Sequence, residues 1–356
     1  MDRQRAFAPV RSQDAASTSH RARRGPARVL HGLVAFCSIL MPISVVAQAP
    51  ACPPPVPGRL FDSGFELPGG GDLAAPGPYT AATVSGTSSQ GGRTTPWVAH
   101  YPVGSSGRPL VLFAPGFQIP SAGYSDWATH LATWGFIAVR ADPVGGLPPN
   151  HVAMSLDLRD VLDDLLAPAA LPVSVDVSRV ALSGHSLGGK LALMAASGDA
   201  RVRTLFVLDP INGGGPGGYT TEQPNIVPQP MGSLAVPIGV LGELLDSTSS
   251  SGGQACAPTA VNYQTLFQAA TASPRAYEWT LAGASHIDFV TNQDQCGFAC
   301  TFCNPRTLPL AQTHAFMRAS AVAFLRNSLQ GESGLCPWLT GALLPGAVGV
   351  RQAPPP

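Results

Sequence analysis

One stretch of eighteen residues limits the fold of this chain more than any other. Arg179–Ser183 is an apolar run of strand character, Gly189–Ala196 reads as a helix, and Gly184-His185-Ser186-Leu187-Gly188 joins them. A strand that becomes a helix across a Gly-x-Ser-x-Gly sequence must pass through a sharp, strained bend, which glycine tolerates because it has no Cβ. The bend lifts the hydroxyl of Ser186 above the C-terminal end of its strand. The following helix then offers free N–H groups and the positive end of its dipole beside that hydroxyl. Ser186 is therefore the candidate nucleophile, and its strand must belong to a sheet whose C-terminal edge is open.

The flanking sequence supports such a sheet. Trp97–Val103, Pro109–Ala114, Phe136–Asp142, Thr204–Asp209, Ile238–Gly242 and Tyr277–Ala282 are further strand candidates, and helix-like segments fall between the strands. In one helix Met154, Leu158, Val161, Leu162 and Leu165 share a face, while Asp157, Arg159, Asp160, Asp163 and Asp164 lie mostly opposite. A last helix is expected over about Leu308–Leu329. Strands that alternate with helices, and are themselves apolar throughout, predict an α/β fold: a mostly parallel sheet covered by helices on both faces. No internal repeat is visible, so residues 79–330 read as one catalytic domain. The Pro/Gly-rich residues 50–78 read as an arm or linker. Residues 331–356 read as a similar tail with Cys336 as its anchor.

The N-terminus reads as an address. Arg21, Arg23, Arg24 and Arg28 precede the mostly apolar run Val29–Val46 and then Ala47-Gln48-Ala49, the order of a signal peptide over residues 1–49. The run contains His31, Ser38, Pro42 and Ser44 and lacks a stop-transfer cluster, so export without a retained membrane span is expected, to the periplasm or the outside. Of seven cysteines, Cys37 falls within that segment, leaving Cys52, Cys256, Cys296, Cys300, Cys303 and Cys336. In an oxidising compartment these predict up to three disulfides, with fifteen pairings open. Cys296-x3-Cys300-x2-Cys303 has iron–sulfur spacing, but exported thiols oxidise, and a staple across a loop is the expected role. Charged residues make up 12% of the chain, net charge is zero, and no basic stripe follows the N-terminus. A nucleic-acid partner is not expected.

A serine needs a base, and the base needs a group to orient it. After Ser186 the available histidines are His286 and His314. His286 follows the Tyr277–Ala282 strand at the sheet rim, while His314 lies inside the terminal helix, so His286 is the candidate base. His185, beside the nucleophile, is expected to point away from it and pack against neighbouring loops. The acid is either Asp209, which ends an apolar strand directly at the rim, or Asp246, which with Glu243 follows the next strand. Asp288 is too close in sequence to His286 to orient it readily. The oxyanion donors are expected to be the backbone N–H groups of Leu187, after the nucleophile, and of Phe117, in the loop Ala114-Pro115-Gly116-Phe117.

Two other glycine patterns compete for attention. Gly184-x4-Gly189-Lys190 is one residue short of a phosphate-binding loop, and Leu191 stands where a Ser or Thr is required. Gly213-x-Gly215-x2-Gly218 matches a dinucleotide fingerprint in form, but Pro216 interrupts it and no helix or acidic residue follows at the required distance. The glycine run reads better as a loop beside the site, a candidate lid over residues 212–235. No metal or cofactor is called for.

Gly184-His-Ser-Leu-Gly-Gly-Lys190, Leu208-Asp-Pro-Ile-Asn-Gly213, Ala255-Cys-Ala-Pro-Thr-Ala-Val-Asn262 and His286-Ile-Asp288 resemble, in this order, segments of the chlorophyllase family within the α/β-hydrolase superfamily. The likeness extends over about Trp97–Asp288. It implies the α/β-hydrolase fold, ester hydrolysis by a Ser–His–Asp triad through an acyl-enzyme, and an acid in the Asp-Pro segment, hence Asp209. Platelet-activating-factor acetylhydrolases are similar in carrying the acid after this strand. Pro115-Gly116-Phe117 resembles the oxyanion loop of secreted polyester hydrolases. Leu187 stands where chlorophyllases usually have arginine, so fold and triad are carried over ahead of the substrate. The reading is a secreted serine carboxylic-ester hydrolase acting on a small-molecule or polymeric ester. Its alternatives are a polyester- or lipid-type esterase or an acyltransferase in the same site, or a non-catalytic binding protein that keeps the fold.

Overall fold

The C-terminal ends of six parallel strands form the edge on which the candidate residues gather. The computed structural model describes residue 52 and residues 72–214, 218–247, 256–340 and 348–353, all within one compact unit. The signal-peptide reading of residues 1–49 lies outside the described residues.

The chain enters the sheet as a hairpin, β1 (Ala81–Gln90) and β2 (Arg93–Pro102), turned at Gly91 and Gly92, both of positive φ. Such turns match the twist of the strands they join. The parallel strands are β3 (Arg108–Ala114), β4 (Ile137–Ala141), β5 (Val175–His185), β6 (Val202–Leu208), β7 (Ile238–Glu243) and β8 (Ala276–Leu281). Strand β9 (Val348–Ala353) runs antiparallel along β8. The order across the sheet is β1-β2-β4-β3-β5-β6-β7-β8-β9.

Alternation along the strands sends side chains to two cores. On one face Phe113, Phe206, Leu208 and Trp279 pack with α1 (Ser125–Thr133) through Trp127 and Leu131. Phe324 of the long helix here numbered α5 (Leu310–Gln330) joins them. On the other face Leu112, Leu182, Val207 and Val240 meet α2 (His151–Leu165), α3 (Leu187–Ser197) and α4 (Tyr263–Ala269). The sheet is thus buried on both sides, as its apolar strands demand. This is the α/β-hydrolase arrangement.

Three features go beyond the sequence reading. Strand β1 was not among the candidates. Its sequence, Ala-Ala-Thr-Val-Ser-Gly-Thr-Ser-Ser-Gln, is polar and half exposed because it lies at the sheet edge. The segment 331–356, read as a tail, supplies a short helix α6 (Cys336–Leu339) and the edge strand β9. Asp157, on the polar side of α2 by spacing, is buried under the hairpin and paired with Arg93 at 2.6 Å.

The cysteines pair as Cys52–Cys336, Cys256–Cys303 and Cys296–Cys300. Cys52 and Cys336 lie 284 positions apart, so their bond closes almost the whole described chain. A crosslink of this kind stabilises mainly by restricting the unfolded chain. Cys52→Ser should therefore lower unfolding stability by about 2–4 kcal/mol. Urea denaturation checks this, and an unmoved midpoint would contradict it.

Candidate active site

Strand β5 ends at His185 and α3 begins at Leu187, leaving Ser186 alone in the bend with φ +54°. Non-glycine residues rarely adopt this conformation, and holding it costs about 1–3 kcal/mol. The two motif glycines make it possible. A Cβ on Gly184 would lie 2.3 Å from the carbonyl of Gly188, and one on Gly188 would lie 2.0 Å from the oxygen of Ala114. The end of β3, the bend and the start of α3 are therefore in backbone contact.

Next to β5, strand β6 ends and Asp209 turns out of it with φ +39°. Its N–H donates to the carbonyl of Leu241 on β7 at 2.6 Å. Its carboxylate is buried and its Oδ2 lies 2.5 Å from Nδ1 of His286. Nε2 of the same ring lies 2.8 Å from Oγ of Ser186. Asp209, His286 and Ser186 thus form one hydrogen-bonded series across three strand ends, with the hydroxyl at its outer end. Burial pushes the Asp209 carboxyl above its usual range, and the His286 hydrogen bond pulls against this.

Asp246, the other candidate acid, does something different. Its Oδ2 accepts from the backbone N–H of His286 at 2.8 Å and from the hydroxyl of Ser285 at 2.9 Å, and its Oδ1 accepts from the N–H of Asn304 at 2.7 Å. It holds the loop that carries the ring. Asp288 braces the same loop, accepting from the N–H of Ser285 at 2.9 Å and from Arg306 at 2.7 Å. His314, on α5, donates to the carbonyl of Asp288 at 3.0 Å and does not reach the series.

His185 spends both ring nitrogens on groups other than the Ser186 hydroxyl, and so does more than pack. Its Nε2 donates to the carbonyl of His286 at 2.9 Å, and its Nδ1 accepts from the hydroxyl of Tyr124 at 2.6 Å. That hydroxyl also takes the N–H of Gly116 at 3.3 Å. Burial, reinforced by His286, holds His185 well below the usual histidine range, so the ring is neutral and fits one donor and one acceptor. The chain of bonds ties the Gly116 loop to the backbone of the candidate base. Sequence reasoning missed Tyr124, because its partner lies 61 residues away and no local pattern marks it.

Phe117 and Leu187, the expected oxyanion donors, line one cleft of about 350 Å³ with Pro115, Ile119, Pro143 and Met154. The lining side chains are apolar except for Gln118 and Asp142, and the Asp142 carboxylate is engaged by the backbone and side chain of Ser121. At the far side of α3, Lys190 is buried and donates to the carbonyls of Asn212 and Gly213 at 2.9 and 3.0 Å. Burial lowers its ammonium to about 8. Lys190 thus fixes the base of the loop read as a candidate lid, of which residues 215–217 lie outside the described residues. Among the described residues the one group with metal-ligand spacing is Asp246, Cys256 and Cys303. Its two sulfurs are joined to each other, leaving a single carboxylate to offer.

Residues 76–337 match the family model for chlorophyllase. The chain belongs to the chlorophyllase family. Members of this family are serine carboxylic-ester hydrolases of the α/β-hydrolase superfamily. The chain is 29% identical to chlorophyllase-1 of Arabidopsis thaliana over 241 residues, 63% of this chain and 73% of that protein. It is 26% identical to chlorophyllase-2 of the same plant over 250 residues, 65% and 76% of the two chains. A shorter match of 114 residues, 31% of this chain and 35% of the relative, is 27% identical to lipase 1 of a Moraxella species. Among the described residues no helix is long and apolar enough to cross a membrane.

Tyr124→Phe keeps the ring, which packs 4.6 Å from Phe113, and removes only the hydroxyl that serves His185 and Gly116. It should cost about 1–3 kcal/mol of stability through the unpaired Nδ1, and lower turnover several-fold. Denaturant titration and ester kinetics check both. Equal stability and full turnover would show that the relay is idle.

Proposed function

We propose that this chain is an exported carboxylic-ester hydrolase whose catalytic residues are Ser186, His286 and Asp209. The observation that carries the reading is the unbroken series of hydrogen bonds from the Asp209 carboxylate through His286 to the Ser186 hydroxyl; Leu187, the residue after Ser186, lines the neighbouring cleft with Phe117. His286 takes the proton of Ser186 as Oγ attacks the ester carbonyl. The negative charge that forms on the carbonyl oxygen is met by the N–H groups of Leu187 and Phe117. His286 then gives the proton to the departing alkoxide, which leaves as the alcohol, and the acyl group stays on Ser186. A water molecule, deprotonated by the same ring, attacks the acyl carbonyl; the proton returns to Ser186 and the acid is released. Asp209 holds the ring in the tautomer with its proton on Nδ1 and stabilises the imidazolium.

The apolar cleft favours a neutral ester with an apolar group beside Phe117 and Met154. The Arabidopsis relatives are named chlorophyllases, while in this chain Leu187 stands at the position after the proposed nucleophile where arginine is usual in that family. Export rests on the arginine-led apolar segment before Ala47-Gln48-Ala49, and is supported by the three cysteine pairs, which suit an oxidising compartment.

Kinetics on short-chain nitrophenyl esters test the assignment. Ser186→Ala should abolish turnover. Asp209→Asn should lower kcat by about 10⁴. Asp246→Asn should cost far less, because an amide oxygen can still accept from the N–H of His286. Turnover that survives Ser186→Ala, or a larger loss from Asp246→Asn than from Asp209→Asn, would contradict the assignment.

A further inference from the structure

Glu243 takes no part in the scheme above, yet it is the last residue of β7 and is fully buried beside the candidate acid. Leu208 pairs with Leu241, so Asp209 and Glu243 leave adjacent strands at the same edge of the sheet. Tyr263 seals this corner. Its ring lies against Gly242, where a Cβ would come within 2.5 Å of it, and its hydroxyl donates to the carbonyl of Glu243 at 3.0 Å. One oxygen of the Glu243 side chain, Oε2, accepts from the N–H of Asp246 at 2.9 Å. Among the described residues the other, Oε1, is buried without a hydrogen-bond partner, and so is Oδ1 of Asp209, the oxygen that does not face His286. The backbone of Leu245 also acts on the Glu243 carboxyl, and that of Glu243 on the Asp209 carboxylate, each favouring the charged form less than burial opposes it.

Two ionised carboxylates cannot share a dry corner, because each raises the cost of charging the other. The charges that act on Glu243 are those of Asp209 and Asp246, both negative, and burial adds to them, which together push its carboxyl up to about 10. Asp209 has His286 to favour its charged form. The single proton therefore belongs on Glu243. The two unpartnered oxygens are then complementary, one an acid O–H and the other an acceptor.

Resting on the triad assignment made above, we infer that Glu243 is a positioning residue that works as a neutral acid: its Oε1–H is presented to Oδ1 of Asp209 and holds that carboxylate in the rotamer that receives His286. No proton is transferred in this role. The hydrogen bond to Oδ1 withdraws charge from Asp209 and so moderates how strongly His286 is driven to its protonated form.

Two measurements test this on the full chain. The first does not involve turnover. Folded Glu243 keeps a proton that the unfolded chain releases above its ordinary value of 4.5, so the neutral acid costs the wild-type fold progressively more stability as pH rises towards about 10. Glu243→Gln removes this burden, and its melting temperature relative to wild type should climb between pH 6 and pH 9. A difference that stays flat would show that Glu243 is ionised in the fold and would overturn the inference. The second uses the pH–rate profile. Gln still donates to Oδ1 and accepts from Asp246, so Glu243→Gln should stay within about fivefold of wild-type kcat with its acid limb unmoved. Glu243→Leu should lower kcat by about tenfold at similar KM and move the acid limb up by about one unit, as expected when a carboxylate loses a hydrogen bond. If Glu243→Gln moves the limb down, a charge has been removed and the neutral-acid role fails. If Glu243→Leu leaves limb and kcat in place, or if Glu243→Gln behaves as badly as Leu, the positioning role fails. Should the Leu variant not fold, the Gln variant alone still decides, by its melting curve and its acid limb. Failure of the triad reading is visible separately, as turnover that survives Ser186→Ala.

Discussion

A single methyl group at position 188 would lie 2.0 Å from the carbonyl oxygen of Ala114, and much of the site follows from its absence. Because the start of α3 can touch the end of β3 there, the Phe117 loop and the Leu187 N-terminus line one cleft, and Ser186 is held between strand and helix in a conformation it would not choose. The strain is repaid by the packing of α3 against the sheet, where Leu191, Ala192 and Leu193 are fully buried. Without the parallel sheet behind it, the bend would relax. The hydroxyl would then leave the ring of His286.

Around this bend the protein keeps several ionisable groups away from water, and their states depend on one another. His185 is neutral because burial and His286 both oppose its charge, and in that state it has the one donor and one acceptor that its neighbours require. Asp246 spends its carboxylate on the N–H groups of His286 and Asn304 and on the hydroxyl of Ser285, so it orients the loop rather than the ring. Asp209 alone meets the imidazole. The division of labour between two carboxylates at neighbouring strand ends comes from what each one faces. Lys190 shows the same logic with opposite sign: a buried ammonium accepted by two carbonyls, and used to pin the loop that follows Asp209.

Much of this was legible in the sequence. The internal strands announce themselves because a strand buried on both faces must be apolar throughout, and the elbow announces itself because few residues fit a bend so tight. His286 follows from chain order, and Asp209 from the family resemblance. The edges were not legible. Strand β1 is polar and β9 sits in a Pro/Gly-rich segment, since an edge strand needs only one partner and can leave a face to water. Nor could the sequence distinguish an acid that reaches the imidazole from one that reaches the backbone beside it, because Asp209 and Asp246 both end strands at the same rim. The Tyr124–His185–His286 relay joins residues 61 and 101 positions apart, and only the closed sheet brings them together.

The central claim is that Ser186 is a nucleophile activated by His286. An organophosphonate probe, which phosphonylates an activated serine and mimics the tetrahedral intermediate, tests it on the intact protein by mass spectrometry of the labelled peptides. The account predicts one adduct per chain, on Ser186, and its near-complete loss in His286→Ala. Labelling at another residue, or labelling of Ser186 that does not depend on His286, would contradict it.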